Sequence, residues 1–148
     1  MISFGGDTTH PMDVKGRISL PAKQRRMLPD ELTVIPSPDK QFPSLWIYSE
    51  EAFEEWVDSV IEGKGGFQAN SKSANHYRRE MHRKVENVSI DQLGRILIPV
   101  HLRQYASLEK SVRVIGAGTH IEIWNEDILA QNDEFYSKQP EAEIFDLP

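Results

Sequence analysis

Two arginines in this chain each follow a glycine, precede an apolar alternation, and have an aspartate four residues earlier. Residues 12–21 read MDVKGRISLP and residues 90–99 read IDQLGRILIP. Both fit Asp-x-x-Gly-Arg-x-x-x-Pro, and Asp13/Asp91, Gly16/Gly94, Arg17/Arg95 and Pro21/Pro99 are all separated by 78 residues. A guanidinium is permanently charged and carries a planar fork of donors, so it suits phosphates and the acceptor edges of bases. A carboxylate at this spacing can accept backbone N–H groups across a turn. It can also brace the arginine. The brace and an anion contact are not exclusive, because one edge of the fork can hold the carboxylate while the other reaches a ligand.

Other chemistries find little support. The chain has no cysteine, which excludes disulfides, cysteine-based zinc sites and thiol catalysis. His10, His76, His82, His101 and His120 form no metal signature; His76 and Glu80, four apart, are at most a weak pair. Gly-x-Ser-x-Gly, Walker and dinucleotide fingerprints are absent, and GKGG lacks the required frame. Nothing implies an enzyme, a cofactor or a metal.

The elements that must position the arginines follow from the same segments. The glycine permits a positive φ. After it, Ile18 and Leu20 point one way and Arg17 and Ser19 the other, so the arginine leaves from the rim of the turn. Pro21 and Pro99 suit the first position of short helices. Two β-rich segments follow in each half, LTVI and SLWIYS, then VRVIGAG and HIEIWN. Ser49 and Asn125 are good helix N-caps, with acids after them to suit the positive helix end. Phe53, Trp56, Val57, Val60 and Ile61 give the next helix one apolar face, and Gly63 ends it. At the same offset of 78, Arg25 matches Arg103, Val34 matches Val112 and Trp46 matches Trp124. The chain thus reads as two copies of one small α+β module. Residues 1–64 form the first and 85–132 the second. A linker (GKGGFQANSKS) and a basic helix occupy 65–84, and 133–148 read as an acidic, disordered tail. Each module has few apolar residues for a core, so the copies should pack intimately.

Hydrophobic residues make up 39% and charged residues 27% of the 148, an ordinary globular balance with no apolar run long enough to cross a membrane. The start, MISFGGDTTHP, does not read as a secretory signal. Net charge is −6, which taken whole argues against nucleic acid. The charge is segregated, however. Lys15, Arg17, Lys23, Arg25 and Arg26 face only Asp13 within 13–26, and Lys72, Arg78, Arg79, Arg83 and Lys84 face only Glu80 within 72–84. Acids cluster between Glu50 and Glu62 and in the tail. A segregated chain can present a basic face despite an acidic total.

The doubled motif, the RILIPVHLRQYASLEK run and the IEIW closing strand resemble the MraZ family of bacterial transcription regulators, over roughly Ile2 to Leu129. The resemblance implies two AbrB-like modules of swapped-hairpin type, packed as one pseudo-symmetric, β-barrel-like unit with flanking helices. It implies a homo-oligomeric ring and a cytoplasmic, nucleoid-associated protein. Its DNA target would be repeated short sites upstream of the division and cell-wall gene cluster. Carried over to this chain, the DNA-binding residues are Asp13, Lys15, Gly16 and Arg17, with Asp91, Gly94 and Arg95 in the second copy. Leu93 stands where the first copy has Lys15, so the loops need not contribute equally. Lys23, Arg25, Arg78, Arg79 and Arg103 are additional DNA or interface candidates, though a basic run is more often a solvated or acid-paired face. The competing reading is an oligomeric protein-interaction module, using the acidic helix, with incidental DNA binding. An enzyme on this scaffold ranks last, for want of a nucleophile–base pair.

Overall fold

The structure, a computed structural model, describes residues 2–63 and 71–140. Each half runs through strand, loop, short strand, short helix, two strands and a longer helix. In the first half these are β1 (Asp7–Pro11), β2 (Arg17–Ser19), α1 (Ala22–Arg25), β3 (Glu31–Pro36), β4 (Leu45–Tyr48) and α2 (Glu50–Gly63). Helix α3 (Lys72–Arg83) leads to β5 (Glu86–Ser89), β6 (Arg95–Leu97), α4 (Val100–Tyr105), β7 (Ser111–Gly116), β8 (Ile121–Asn125) and α5 (Glu126–Ser137). The fold is α+β, with an antiparallel six-stranded sheet in the order β1-β7-β8-β4-β3-β5 and a two-stranded ribbon, β2-β6.

The halves exchange strands. β1 of the first half lies on β7 of the second, β5 of the second lies on β3 of the first, and β4 meets β8 at the centre. In the ribbon Ile18 faces Ile96, flanked by Arg17 opposite Leu97 and Ser19 opposite Arg95. In the sheet Trp46 faces Glu122, flanked by Leu45 opposite Ile123 and Ile47 opposite Ile121. Exchanging the halves maps each of these ladders onto itself.

This register corrects two of the sequence matches. Leu32 pairs with Val88 as Val112 pairs with His10, so Val112 answers to Leu32 and not to Val34. Tyr48 lies opposite Thr33 as Trp124 lies opposite Arg113, so Trp124 answers to Tyr48 and not to Trp46. The second half is two residues longer in its short helix, six against four, and four shorter between the following strands. A constant offset therefore drifts out of phase after the helix, and the tryptophan match is coincidental.

Strand alternation produces two packed layers. On the inner face Ile18, Leu20, Ile96, Ile98 and Leu102 cover Leu32, Val34, Leu45, Ile47, Val112, Val114, Ile121 and Ile123, all at most 2% exposed. Burying one such side chain is worth roughly 1.5–3 kcal/mol, so this ribbon-to-sheet core dominates stability. On the outer face Ile35 and Tyr48 meet Phe53, Val57 and Ile61 of α2, with Ala74 and Met81 of α3 in the same cluster. Trp124 packs with Phe42 and Leu129 under α5.

The helix signals resolve closely. Ser49 Oγ accepts the Ala52 N–H at 3.1 Å, and Asn125 Oδ1 accepts that of Ile128 at 2.9 Å. Pro21 and Pro99 are extended (ψ 140° and 148°) and cap α1 and α4, one residue earlier than the first helical position. Most of the expected linker lies outside the described residues, but its last residues are ordered: Ser71 caps α3, its Oγ accepting the Ala74 N–H at 3.1 Å. At the other end α5 continues to Ser137, so the first part of the expected disordered tail is helix, with Phe135 5.5 Å from Phe42 ring to ring. Residues 141–148 lie outside the described residues.

Candidate nucleic-acid interface

The two Asp-x-x-Gly-Arg loops are built by the same bonds. Asp13 Oδ1 accepts the backbone N–H of Lys15 (3.0 Å) and of Arg17 (2.8 Å), while Oδ2 takes Arg17 Nε at 2.6 Å. Asp91 Oδ1 accepts from Leu93 and Arg95, both at 2.9 Å, and Oδ2 takes Arg95 Nε at 2.9 Å. Gly16 and Gly94 close the turns with φ of 91° and 77°, which a Cβ would resist. The backbone bonds from Arg17, together with its side chain, hold the Asp13 carboxyl down at about 2. Arg95 lowers Asp91 in the same way. Both aspartates are therefore ionised at neutral pH.

The arginines are oriented by this arrangement. Each commits Nε to its own aspartate, and among the described residues neither guanidinium has another partner. Arg17 and Arg95 are about one-third exposed. Since Ile18, Leu20, Ile96 and Ile98 point inward, Arg17, Ser19, Arg95 and Leu97 share the outward face of the ribbon. The ladder places the two arginines diagonally, roughly 8–9 Å apart at backbone level by strand spacing. Lys15 is exposed at the tip of the first loop, and Leu93 stands 70% exposed at the second.

The remaining basic candidates divide. Arg78 reaches from α3 to Asp58 of α2 at 3.4 Å, and Arg83 pairs with Glu80 at 3.0 Å. His82 bridges the same helices, bonding Glu54 at 2.6 Å. Arg79 and Lys23 are exposed. Arg25 and Arg103 differ from all of these. Arg25 Nε bonds Leu20 O at 3.1 Å and Arg103 Nε bonds Ile98 O at 2.9 Å, and each lies against the loop glycine of the opposite half. Among the described residues no three His, Asp or Glu side chains converge as a metal site, and no helix is long and apolar enough to cross a membrane.

Comparison with known proteins shows the family. A family model described as "MraZ protein, putative antitoxin-like" matches the chain twice, over residues 3–69 and 81–147. The chain belongs to the MraZ family. Among curated MraZ relatives, the protein named "Transcriptional regulator MraZ" of Cutibacterium acnes is 34% identical over 97% of this chain and 94% of its own length. Its namesake in Alkaliphilus oremlandii is 34% identical over 95% and 99%, and that in Acetivibrio thermocellus 36% identical over 82% and 80%.

The second MraZ match runs past Leu129 to residue 147, so the MraZ resemblance extends into the acidic tail, beyond the boundary inferred from motifs. The tail carries none of the motif residues, which is why motif reading stopped short. The exposed ribbon position Leu97 also escaped it. The alternation had already turned Ser19 outward with Arg17, but that Ser19 lies opposite Arg95 and Leu97 opposite Arg17 comes only from the cross-half register. The cross-half contacts of Arg25 and Arg103 were hidden for the same reason.

Proposed function

We propose that this chain is a sequence-specific, duplex-DNA-binding transcriptional regulator, not an enzyme, whose recognition surface is the outward face of the β2-β6 ribbon with its two loops. The observation that carries the reading is the paired Nε lock, which fixes two arginines on one face with their terminal nitrogens unpaired among the described residues. A two-stranded ribbon fits the major groove, and an arginine fork matches the O6 and N7 acceptors of guanine. Arg17 and Arg95 then supply base or groove contacts, Lys15 a phosphate contact, and Asp13, Asp91, Gly16 and Gly94 the loop geometry. The names of the relatives support regulation as the outcome.

The finer features belong to the same proposal. The exchange-related register supports two AbrB-like, swapped-hairpin modules forming one pseudo-symmetric, barrel-like unit. Two arginines and one lysine per chain are few for tight binding, so repetition around a homo-oligomeric ring would add affinity through effective concentration on repeated short sites. Promoter sites upstream of the division and cell-wall genes are the expected targets, which would make the protein cytoplasmic and nucleoid-associated. The alternative, a protein-interaction module working through the acidic helix, is weakened because Glu54 and Asp58 of α2 are engaged by α3.

Selection of bound duplexes from a random pool tests the reading. The wild type should enrich short repeats containing guanine. The double variant Arg17→Ala, Arg95→Ala, folded and assembled like the wild type, should enrich nothing. Equal enrichment of one sequence by both proteins would reject the ribbon as the reading surface.

A further inference from the structure

Arg25 and Arg103 are half-buried, and among the described residues neither has a carboxylate partner. Their surroundings are closed circuits. Ile98 donates its N–H to Gly16 O at 3.0 Å, and the carbonyl of the same Ile98 accepts Arg103 Nε at 2.9 Å. The Arg103 side chain then lies over Gly16, so near that a Cβ there would sit 2.6 Å from Nε and 2.7 Å from Cζ. In the other half Leu20 donates to Gly94 O at 3.1 Å and accepts from Arg25 Nε at 3.1 Å, and a Cβ on Gly94 would overlap the Arg25 guanidinium. Both glycines are buried although their loops are at the surface. In each circuit the arginine comes from one half of the chain and the loop from the other.

We propose that Arg103 is the positioning residue for the Asp13–Arg17 loop, and Arg25 for the Asp91–Arg95 loop. Each arginine clamps the glycine of the opposite half and so sets the direction in which Arg17 or Arg95 points at DNA. This role rests on the reading of those loops as the DNA surface. The glycine serves two purposes: it adopts the positive φ, and it leaves room for the clamp. A planar, Nε-donating group is required, because it must bond the carbonyl edge-on while its flat face covers the glycine. Lysine keeps the charge and can donate to a carbonyl, but it has no flat face to cover the glycine while doing so.

The test exploits the crossing. Duplex affinity is measured for Arg103→Ala, Arg103→Lys, Arg17→Ala and Arg95→Ala, and for the double variants that combine Arg103→Ala with each loop change. Under the clamp, Arg103→Lys weakens binding nearly as much as Arg103→Ala. Arg103→Ala then adds little to Arg17→Ala, which has already lost the residue being aimed, yet multiplies with Arg95→Ala. A plain phosphate contact by Arg103 gives the opposite result: rescue by lysine and losses that multiply with both. Amide exchange on the free protein supplies a readout that needs no DNA. Arg103→Ala should speed exchange at Lys15 and Arg17 and leave Leu93 and Arg95 unchanged, and Arg25→Ala should do the reverse. Uniform acceleration across both loops, or none, overturns the clamp. If the wild type binds no duplex, the DNA reading fails and amide exchange alone decides the clamp.

Discussion

At the scale of residues, an aspartate and a lysine divide the work of the first loop. Asp13 holds the loop only while ionised. Its folded pKa is lowered from 3.8 to about 2, so its contribution is complete above 3.8 and is lost as the pH falls from there through about 2. Following the Lys15 and Arg17 amides by NMR across this acid range should give a midpoint near 2. A midpoint at or above 3.8 would mean that the brace is not formed in solution. Lys15, by contrast, forms no ion pair among the described residues and stands exposed, which suits a phosphate partner. Removing one phosphate contact lowers the slope of log affinity against log salt by about 0.9 for duplex DNA. Lys15→Ala should show that reduction per engaged subunit. Leu93→Ala at the equivalent position should leave the slope alone, because Leu93 brings no charge to the backbone.

Among the elements, what could be read in advance was what local chemistry decides. The turn glycines, the inward Ile18 and Leu20, the caps Ser49 and Asn125 and the apolar face of α2 all depend on neighbours within a few residues, and each stands where the pattern put it. Strand β1 was not legible: DTTHP has no apolar alternation, and it is a strand only because it pairs with β7 a hundred residues away. The pairing of α3 with α2 was legible as charge complementarity, but the part played by His82 was not. Its ring nitrogens meet Glu54 and the Arg78 carbonyl, with Phe53 edge-on at 5.3 Å and the Arg78–Asp58 pair alongside. The bond to Glu54, then that to the Arg78 carbonyl, raises the His82 pKa above 6.5. Stability from this contact is therefore fully present below pH 6.5 and is lost as the pH climbs through the raised value. Both side chains are more than a third exposed, so the gain is a small, solvent-screened one. Melting of wild type and His82→Gln should differ by about a degree or two near pH 6 and converge once the pH has risen past the raised value. A gap that persists unchanged at the higher pH would assign it to packing on Phe53 instead of charge.

For the whole molecule, the decisive property is that neither half completes its own sheet. The first half supplies β3 and β4 but sends β1 to the second, and the second returns β5. The ribbon takes one strand from each half, and the inner core is filled from both. The β1 edge is further fastened by a bidentate pair, with Arg113 Nε and Nη2 at 2.8 and 2.6 Å from the Asp7 carboxylate. Interdigitation on this scale makes the halves one cooperative unit, although the sequence presents them as tandem modules. It also explains why a constant repeat offset misleads: the strands pair in equivalent registers across the halves while the segments between them differ in length. The chain can be divided within residues 64–70 without touching any described strand. The fragment ending at Gly63 should then be unfolded or aggregated alone, because β1 and β2 lack partners and Ile18, Leu20, Leu32 and Leu45 lose their cover. The complementary fragment should behave likewise. Mixed together, they should recover the sheet and melt in a single transition whose midpoint rises with concentration. A folded, monomeric first fragment with native-like dispersion of its amide signals would show that the modules are independent. It would also remove the cross-half route by which Arg25 and Arg103 reach the opposite loops.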